Sequence, residues 1–366
     1  MSTQPLRVGI VGVGMIALVA RIPELHKTGR AEVVAICRRD AGALRRAQEF
    51  LQVPEAYTDW REMLDRAALD AVLICTPHHL HCEQTLAALE RRLHVFLEKP
   101  LALVPADAWR AAQAAERADR VVTIGCGYRF NGLWRTAIQA VREGAVGLVR
   151  QVTVALSYPR RWLETELEPD ALRDTVRSMA VPFYERVGVP GRFYEDWTVE
   201  GNWHFDPVRV GGGALANAGL HGLDLALWLG GAPPVEVSAL SDAAGAPAER
   251  FITIQARLAN SVLLSLTSAD MRLDSRRAAV YGDHGMLTGD TTGGGRIYLY
   301  RGGDAEEIEP KVGDVSACEA FVSAVTEGAP NLSPARDGAY AVALLEAAYR
   351  SAREGRMVRV ERPLGW

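Results

Sequence analysis

Apolar and polar positions follow one rhythm up to about residue 125 and another beyond it. In the first part, short β-rich apolar runs alternate with runs rich in Ala, Leu, Arg and Glu. Runs at Arg7–Val11, Glu32–Cys37, Ala71–Cys75, His94–Leu97 and Val121–Gly125 predict strands, and Ala41–Leu51 and Cys82–Arg91 predict helices. Continuous apolar strands separated by helices predict a parallel sheet covered on both faces. Later, helices are expected at Leu133–Glu143 and Gly213–Leu229, with a strand at Val149–Ser157. Strand runs then come at hairpin spacing: Val235–Leu240, Phe251–Leu258, Val262–Thr267, Ala278–Tyr281 and Arg296–Tyr300. Val315–Thr326 and Ala335–Arg353 read as closing helices. The expectation is an α/β unit over 1–125 and an α+β unit with a mainly antiparallel open sheet over 126–366, the closing helix being able to return to the first unit.

Composition narrows the function classes. At 48% hydrophobic and 23% charged, the chain reads as globular rather than disordered. Lys+Arg is 41 against Asp+Glu 45, which disfavours a nucleic-acid partner. Five scattered cysteines do not make a disulfide framework. The apolar run after Val8 is broken by glycines and lacks a basic flank, so no signal peptide is expected. No run reaches about 18 apolar residues, so no membrane partner is expected and the expected address is the cytoplasm.

The first strand runs into Gly12-Val13-Gly14-Met15-Ile16-Ala17, a Gly-x-Gly-x-x-Ala loop with a helical run behind it. In that context the loop predicts a Rossmann dinucleotide-binding domain. Gly12 permits a tight turn, Gly14 lets the backbone approach a pyrophosphate, and Ala17 permits close helix packing, with Met15 and Ile16 between them. The helix start offers free N–H groups to the phosphates. About 20 residues on, where a carboxylate would hold the ribose of NAD, stand Arg38 and Arg39. Two guanidiniums suit a 2′-phosphate, which favours NADP, with NAD as the alternative and Asp40 as the ribose ligand in that case.

Two further segments follow in order: Cys75-Thr76-Pro77-His78-His79-Leu80-His81 and Leu97-Glu98-Lys99-Pro100. Later come Gly211-Gly212-Gly213-Ala214-Leu215, Gly219-Leu220-His221 and Asp224, then a Gly338–Ala348 helix with Ser351 and Gly355-Arg356. Together they resemble the glucose–fructose oxidoreductase / inositol dehydrogenase / MocA (Gfo/Idh/MocA) family over nearly the whole chain. The resemblance implies an NAD(P)-dependent oxidoreductase acting on a secondary alcohol or ketone of a sugar, cyclitol or glycoside. It implies a sugar-like small-molecule substrate, and a homodimer or homotetramer is expected.

By the same resemblance Lys99 lies beside the nicotinamide and the reacting carbon, and Cys75, Thr76, Pro77, His78, His81 and Glu98 belong to the cofactor loops. His221 is the second proton-exchanging candidate. Asn217, four residues earlier, stands where the family often has Asp, and it can orient a hydroxyl but not take a proton. That departure favours the alternative of a non-catalytic, cofactor-binding sensor or regulator; a redox-assisted lyase or glycosidase with tightly held cofactor is a further alternative. Asp224 is expected as a helix partner. Tyr128 and Arg129 resemble the family's cleft segment, with Arg129 read equally as a substrate ligand or an interdomain structural arginine. The aromatic stretch 158–207, with Trp203 and His204 nearest the glycine run, suits sugar faces, an interface or local packing. The histidines around Cys75 and Cys82 match no zinc spacing, so no metal is expected.

Overall fold

The computed structural model describes residues 4–158, 206–271, 274–292 and 295–363. Its first sheet holds six parallel strands in the order β3-β2-β1-β4-β5-β6. They are β1 (Leu6–Val11), β2 (Ala31–Cys37), β3 (Glu55–Tyr57), β4 (Ala71–Ile74), β5 (His94–Leu97) and β6 (Val122–Ile124). The helices between them are α1 (Ile22–Thr28), α2 (Ala41–Leu51), α3 (Trp60–Arg66), α4 (His81–Glu90) and α5 (Pro105–Ala118). Alternate strand residues divide between two cores, as a period of two requires. Val8, Ile10, Ile36, Leu73 and Phe96 face one side, and Val11, Cys37, Val72, Ile74, Val95 and Leu97 the other. This double burial is why the strands read as unbroken apolar runs.

The second sheet has nine strands in the order β14-β13-β12-β11-β7-β10-β9-β8-β15. After α6 (Gly132–Arg142) and β7 (Val149–Tyr158) the described chain resumes with the short α7 (Pro207–Val210) and α8 (Leu220–Gly230). Then follow β8 (Pro234–Asp242), β9 (Phe251–Leu258), β10 (Leu263–Asp270), β11 (Ser275–Gly282), β12 (Met286–Asp290), β13 (Arg296–Arg301) and β14 (Asp304–Glu307). All described pairings are antiparallel except β7 with β10. Strand β9 alternates strictly between exposed and buried residues, as a sheet with one covered face should. Helix α8 lies on that covered face, and Gly222 lets it come close: a Cβ there would sit 2.5 Å from Leu156 Cδ1.

Four strands escape the sequence pattern. β3 is three residues long, and the terminal β15 (Val358–Arg359) is two. β14 is exposed at every position, so it carries no apolar alternation. β12 contains Gly289, where a Cβ would lie 2.7 Å from Trp134.

The chain then returns to the first sheet. Helix α9 (Ala317–Thr326) packs Phe321 edge-on against Phe96, with ring centroids 6.0 Å apart. The backbone N–H of Ile124 at the sheet edge donates to Ser333 O (2.8 Å), just before α10 (Ala335–Glu354). Between the sheets, Arg129 forms a buried bidentate pair with Asp224 of α8, Nε to Oδ2 at 2.8 Å and Nη2 to Oδ1 at 2.7 Å. Its third nitrogen, Nη1, donates to Asp337 of α10 at 2.6 Å. Burial pushes the Asp224 carboxyl up, and Arg129 opposes that shift.

Removing one partner of a buried pair strands the other charge away from water. Asp224→Ala should therefore lower the unfolding free energy by about 3–5 kcal/mol in urea titrations. Asp337, whose side chain is 36% exposed, should cost clearly less when changed to Ala. Equal losses at the two positions would show that Asp224 is not the critical partner.

Candidate active site

The glycine loop has the geometry its residues call for. Gly12 has φ +89°, and a Cβ there would lie 2.8 Å from the carbonyl carbon and oxygen of Cys75. Above Gly14 the space is open, since a Cβ would meet nothing nearer than Gly12 O at 4.0 Å. Half-buried Met15 and Ile16 lead into a π-helical turn, Ala17–Arg21, that continues as α1. At the end of β2, Arg38 folds back so that Nη1 donates to Val13 O at 2.8 Å. Burial holds its pKa below the usual guanidinium value, partly offset by Asp40. Arg39 is exposed. The Asp40 carboxylate accepts from Ala43 N (2.6 Å), capping α2.

The loop after β4 is tied down on several sides. Cys75 N donates to Val11 O (2.8 Å), and Thr76 Oγ1 meets Gln84 Oε1 at 2.6 Å. The buried His81 ring spans two carbonyls, with Nδ1 2.6 Å from Pro100 O and Nε2 2.8 Å from Thr76 O. Burial lowers its pKa, against the pull of those carbonyls. His81 thus joins the Thr76-Pro77 turn to the Lys99-Pro100 step, whose peptide bond is cis. His78 is also buried, with Nδ1 3.0 Å from Val210 O of α7. Both rings serve as ties, and no group of three or more His, Cys, Asp or Glu among the described residues could hold a metal ion.

The cleft lies between the sheets. Lys99 Nζ donates to the main-chain carbonyl of Asn217 at 2.5 Å. Burial pushes the Lys99 amine below its usual pKa, against the negative charge of Glu98. Asn217 sits in a second π-helical turn, Leu215–Gly219, just before α8. Glu249 anchors that turn by accepting from Gly213 N (2.8 Å) and Leu215 N (2.9 Å), and Tyr349 Oη donates to the same carboxylate at 2.7 Å. His221 follows at the start of α8, partly buried, with Tyr128 edge-on at 6.2 Å between centroids. Burial, then the charges of Lys99, Arg21 and Arg276, push its imidazole down to about 3, so it is neutral at pH 7.

Lys99, Asn217, His221 and Tyr128 therefore come together, although Asn217 meets Lys99 through its carbonyl rather than its side-chain amide. Glu98 points to a different partner: its Oε1 accepts from Arg21 Nε at 2.6 Å. Arg129 is committed to Asp224 and Asp337, the interdomain alternative of its sequence reading. Trp203, His204 and the other aromatics of 159–205 lie outside the described residues. Four residues went unnoticed in the sequence: Arg21, Glu249, Arg276 and Tyr349. None stands in a motif that carries chemistry. Arg276 lies beside Leu156 of β7 at the start of β11, on the inner sheet face, where β10 on the other side of β7 also changes from Leu264 and Leu266 to Ser268 and Asp270. That switch from apolar to polar on one face was the available signal.

Comparison with known proteins agrees with this architecture. Residues 6–126 match an oxidoreductase family described by its NAD-binding Rossmann fold, and residues 189–360 match the C-terminal alpha/beta domain of the same family. The chain is 25% identical over an alignment of 386 residues to the myo-inositol 2-dehydrogenase of Thermotoga maritima, covering 98% of this chain and 100% of that one. The aldose-aldose oxidoreductase of Caulobacter crescentus, solved with glycerol, superposes with a TM-score of 0.78 at 24% identity, covering 97% of this chain and 100% of that one. The WlbA dehydrogenase of Bordetella pertussis, solved with NADH and UDP-GlcNAcA, superposes with a TM-score of 0.75 at 21% identity, over 99% and 100%. With both of its domains matched, this chain belongs to the Gfo/Idh/MocA family of NAD-binding oxidoreductases.

Proposed function

We propose that the protein is an NADP-preferring enzyme that moves a hydride between the nicotinamide and a secondary alcohol or ketone carbon of a sugar, cyclitol or glycoside. The observation that carries this reading is the Lys99 amine held 2.5 Å from the Asn217 carbonyl with His221 at the start of the following helix, where burial lowers the pKa of both side chains. The full-length likeness to an inositol dehydrogenase supports the substrate class. The open space over Gly14 and the tight turn at Gly12 fit a dinucleotide pyrophosphate. When bound, the nicotinamide supplies the hydride acceptor or donor.

The chain's own residues would handle the proton. When the carbon bearing a hydroxyl gives up hydride, that hydroxyl must also lose its proton to a base. Lys99 in its amine form can accept that proton, and in its ammonium form can stabilise an alkoxide. Neutral His221 can accept or donate a hydrogen bond to the same oxygen. Arg38 and Arg39 would meet the 2′-phosphate, while Asp40 is engaged as a helix cap. Glu249 and Tyr349 fix the turn that carries Asn217, so the Lys99 donor is held by main chain rather than by a mobile side chain.

Three outcomes are expected. Arg38→Ala should weaken NADP binding by roughly 10- to 100-fold, equivalent to about 1.5–3 kcal/mol, and leave NAD binding nearly unchanged. Fluorescence titration with both nucleotides checks this, and tighter NAD binding by the parent would refute the preference. Lys99→Ala should keep NADP affinity and lower kcat by ~10²–10⁴ on whichever polyol a screen at 340 nm identifies. Near-normal kcat would remove Lys99 from the chemistry. The third concerns pH. A neutral His221 has no proton to gain near its ordinary pKa, so it should contribute no acid limb there. Asn217→Asp adds an anion four residues away, raises the imidazole pKa, and should bring in a loss of rate as pH falls. Superimposable pH–rate profiles for parent and variant would separate Asn217 from the reacting centre.

A further inference from the structure

Lysine is scarce here. Of 41 Lys+Arg residues only Lys27, Lys99 and Lys311 are lysine, so the amine in the cleft stands among guanidiniums. Its neighbour in sequence, Glu98, is a partly buried carboxylate whose charge bears on that amine. Glu98 is paired elsewhere. Arg21 Nε donates to Glu98 Oε1 at 2.6 Å, and Arg21 Nη1 donates to both oxygens of Glu24 at 2.8 Å. The other Glu98 oxygen lies against Gly125, where a Cβ would come within 3.0 Å. Glu24 accepts in turn from Cys318 N (3.2 Å) in the first turn of α9. The Arg21 guanidinium lies 5.2 Å from the Phe96 ring centroid, and its side chain is only 12% exposed.

We propose that Arg21 is a positioning residue that pins Glu98 and offsets its charge, so that among the described residues no unpaired carboxylate holds the proton of the Lys99 amine. The proposal rests on the reading of Lys99 as the group that exchanges the substrate's proton. Among the described residues, the groups facing Lys99 are Glu98 on its own strand end, His81 of α4, Cys126 beyond β6, and Asn217 and His221 from the second π turn and α8. Arg21 faces Glu98 from the first π turn, backed by Glu24 of α1, with Cys75 and Cys318 beside it. Arg276 acts on His221 from β11. Among them only Glu98 and Glu24 are carboxylates, and Arg21 binds both. Burial works against the Arg21 charge, but these two carboxylates outweigh it and hold the guanidinium protonated. A lysine so placed loses its proton more easily than one paired with an acid.

The test needs no substrate. Trace acetylation with acetic anhydride across a pH series, read by peptide mass spectrometry, gives the titration midpoint of each lysine, with Lys27 and Lys311 as internal standards. In the parent, Lys99 should titrate below both standards. Arg21→Met should raise the Lys99 midpoint by about one pH unit, a tenfold loss of neutral amine at fixed pH, while the standards stay put. Adding Glu98→Gln to Arg21→Met should return the midpoint close to the parent value. A purely structural Arg21 would change the melting temperature and leave the midpoint where it was, which would overturn the proposal. If Arg21→Met does not fold, Glu98→Gln alone decides: the uncancelled Arg21 charge should then drive the Lys99 midpoint lower, and an unmoved midpoint would overturn the proposal. Undiminished turnover in Lys99→Ala would refute the catalytic reading of Lys99 and leave these titrations standing.

Discussion

The bidentate pair between Arg129 and Asp224 decides where the rest of the cleft can be. Arg129 follows the last strand of the parallel sheet, and Asp224 sits on the helix covering the antiparallel one. Asp224 comes three residues after His221, so the two share a helix face. Clamping Asp224 to the first sheet therefore brings the His221 end of the same helix to the edge of β5, where Lys99 lies. Such a pair is expensive to bury and costly to break, so it fixes geometry more than it adds stability. Asp337 joins the same guanidinium, which ties the long helix α10 into the arrangement.

The electrostatics of the cleft follow from that placement. Lys99, Arg21 and Arg276 all bear on one imidazole, and burial removes the water that would screen them. The ring answers by staying neutral, and the amine by holding its proton less tightly. Glu98, the carboxylate that bears on Lys99, and Asp224, three residues beyond His221, are each paired with an arginine. Arginine suits that work because its fork engages a carboxylate with two parallel donors and keeps its charge when buried.

Two π-helical turns flank the cleft, one carrying Arg21 and the other Asn217. Single π turns inside helices recur at functional sites, because the extra residue turns side chains and carbonyls out of the regular ladder. Here the second turn presents the Asn217 carbonyl to Lys99, and an internal carboxylate, Glu249, satisfies the N–H groups at its start.

The parallel sheet, its glycine loop and most of the antiparallel strands were legible because their signals are local. Strand period, a positive-φ glycine and Gly-x-Gly-x-x-Ala spacing each act within a few residues. The same locality made Lys99 and His221 visible, since both stand in recognisable motifs. β14 was not legible, because an exposed edge strand needs no apolar pattern. Nor was the use of the individual polar groups. Glu98 and Arg129 stand in motif segments, but their partners are 77 and 95 residues away. Asn217 reads as a side chain, yet it meets Lys99 with a carbonyl that every residue possesses. Sequence by itself determined most of the elements and marked the motif residues, Lys99 and His221 among them, that the structure brings together. Tertiary structure alone decided which charge neutralises which, because Coulomb interactions and burial depend on distance in space and not on position along the chain.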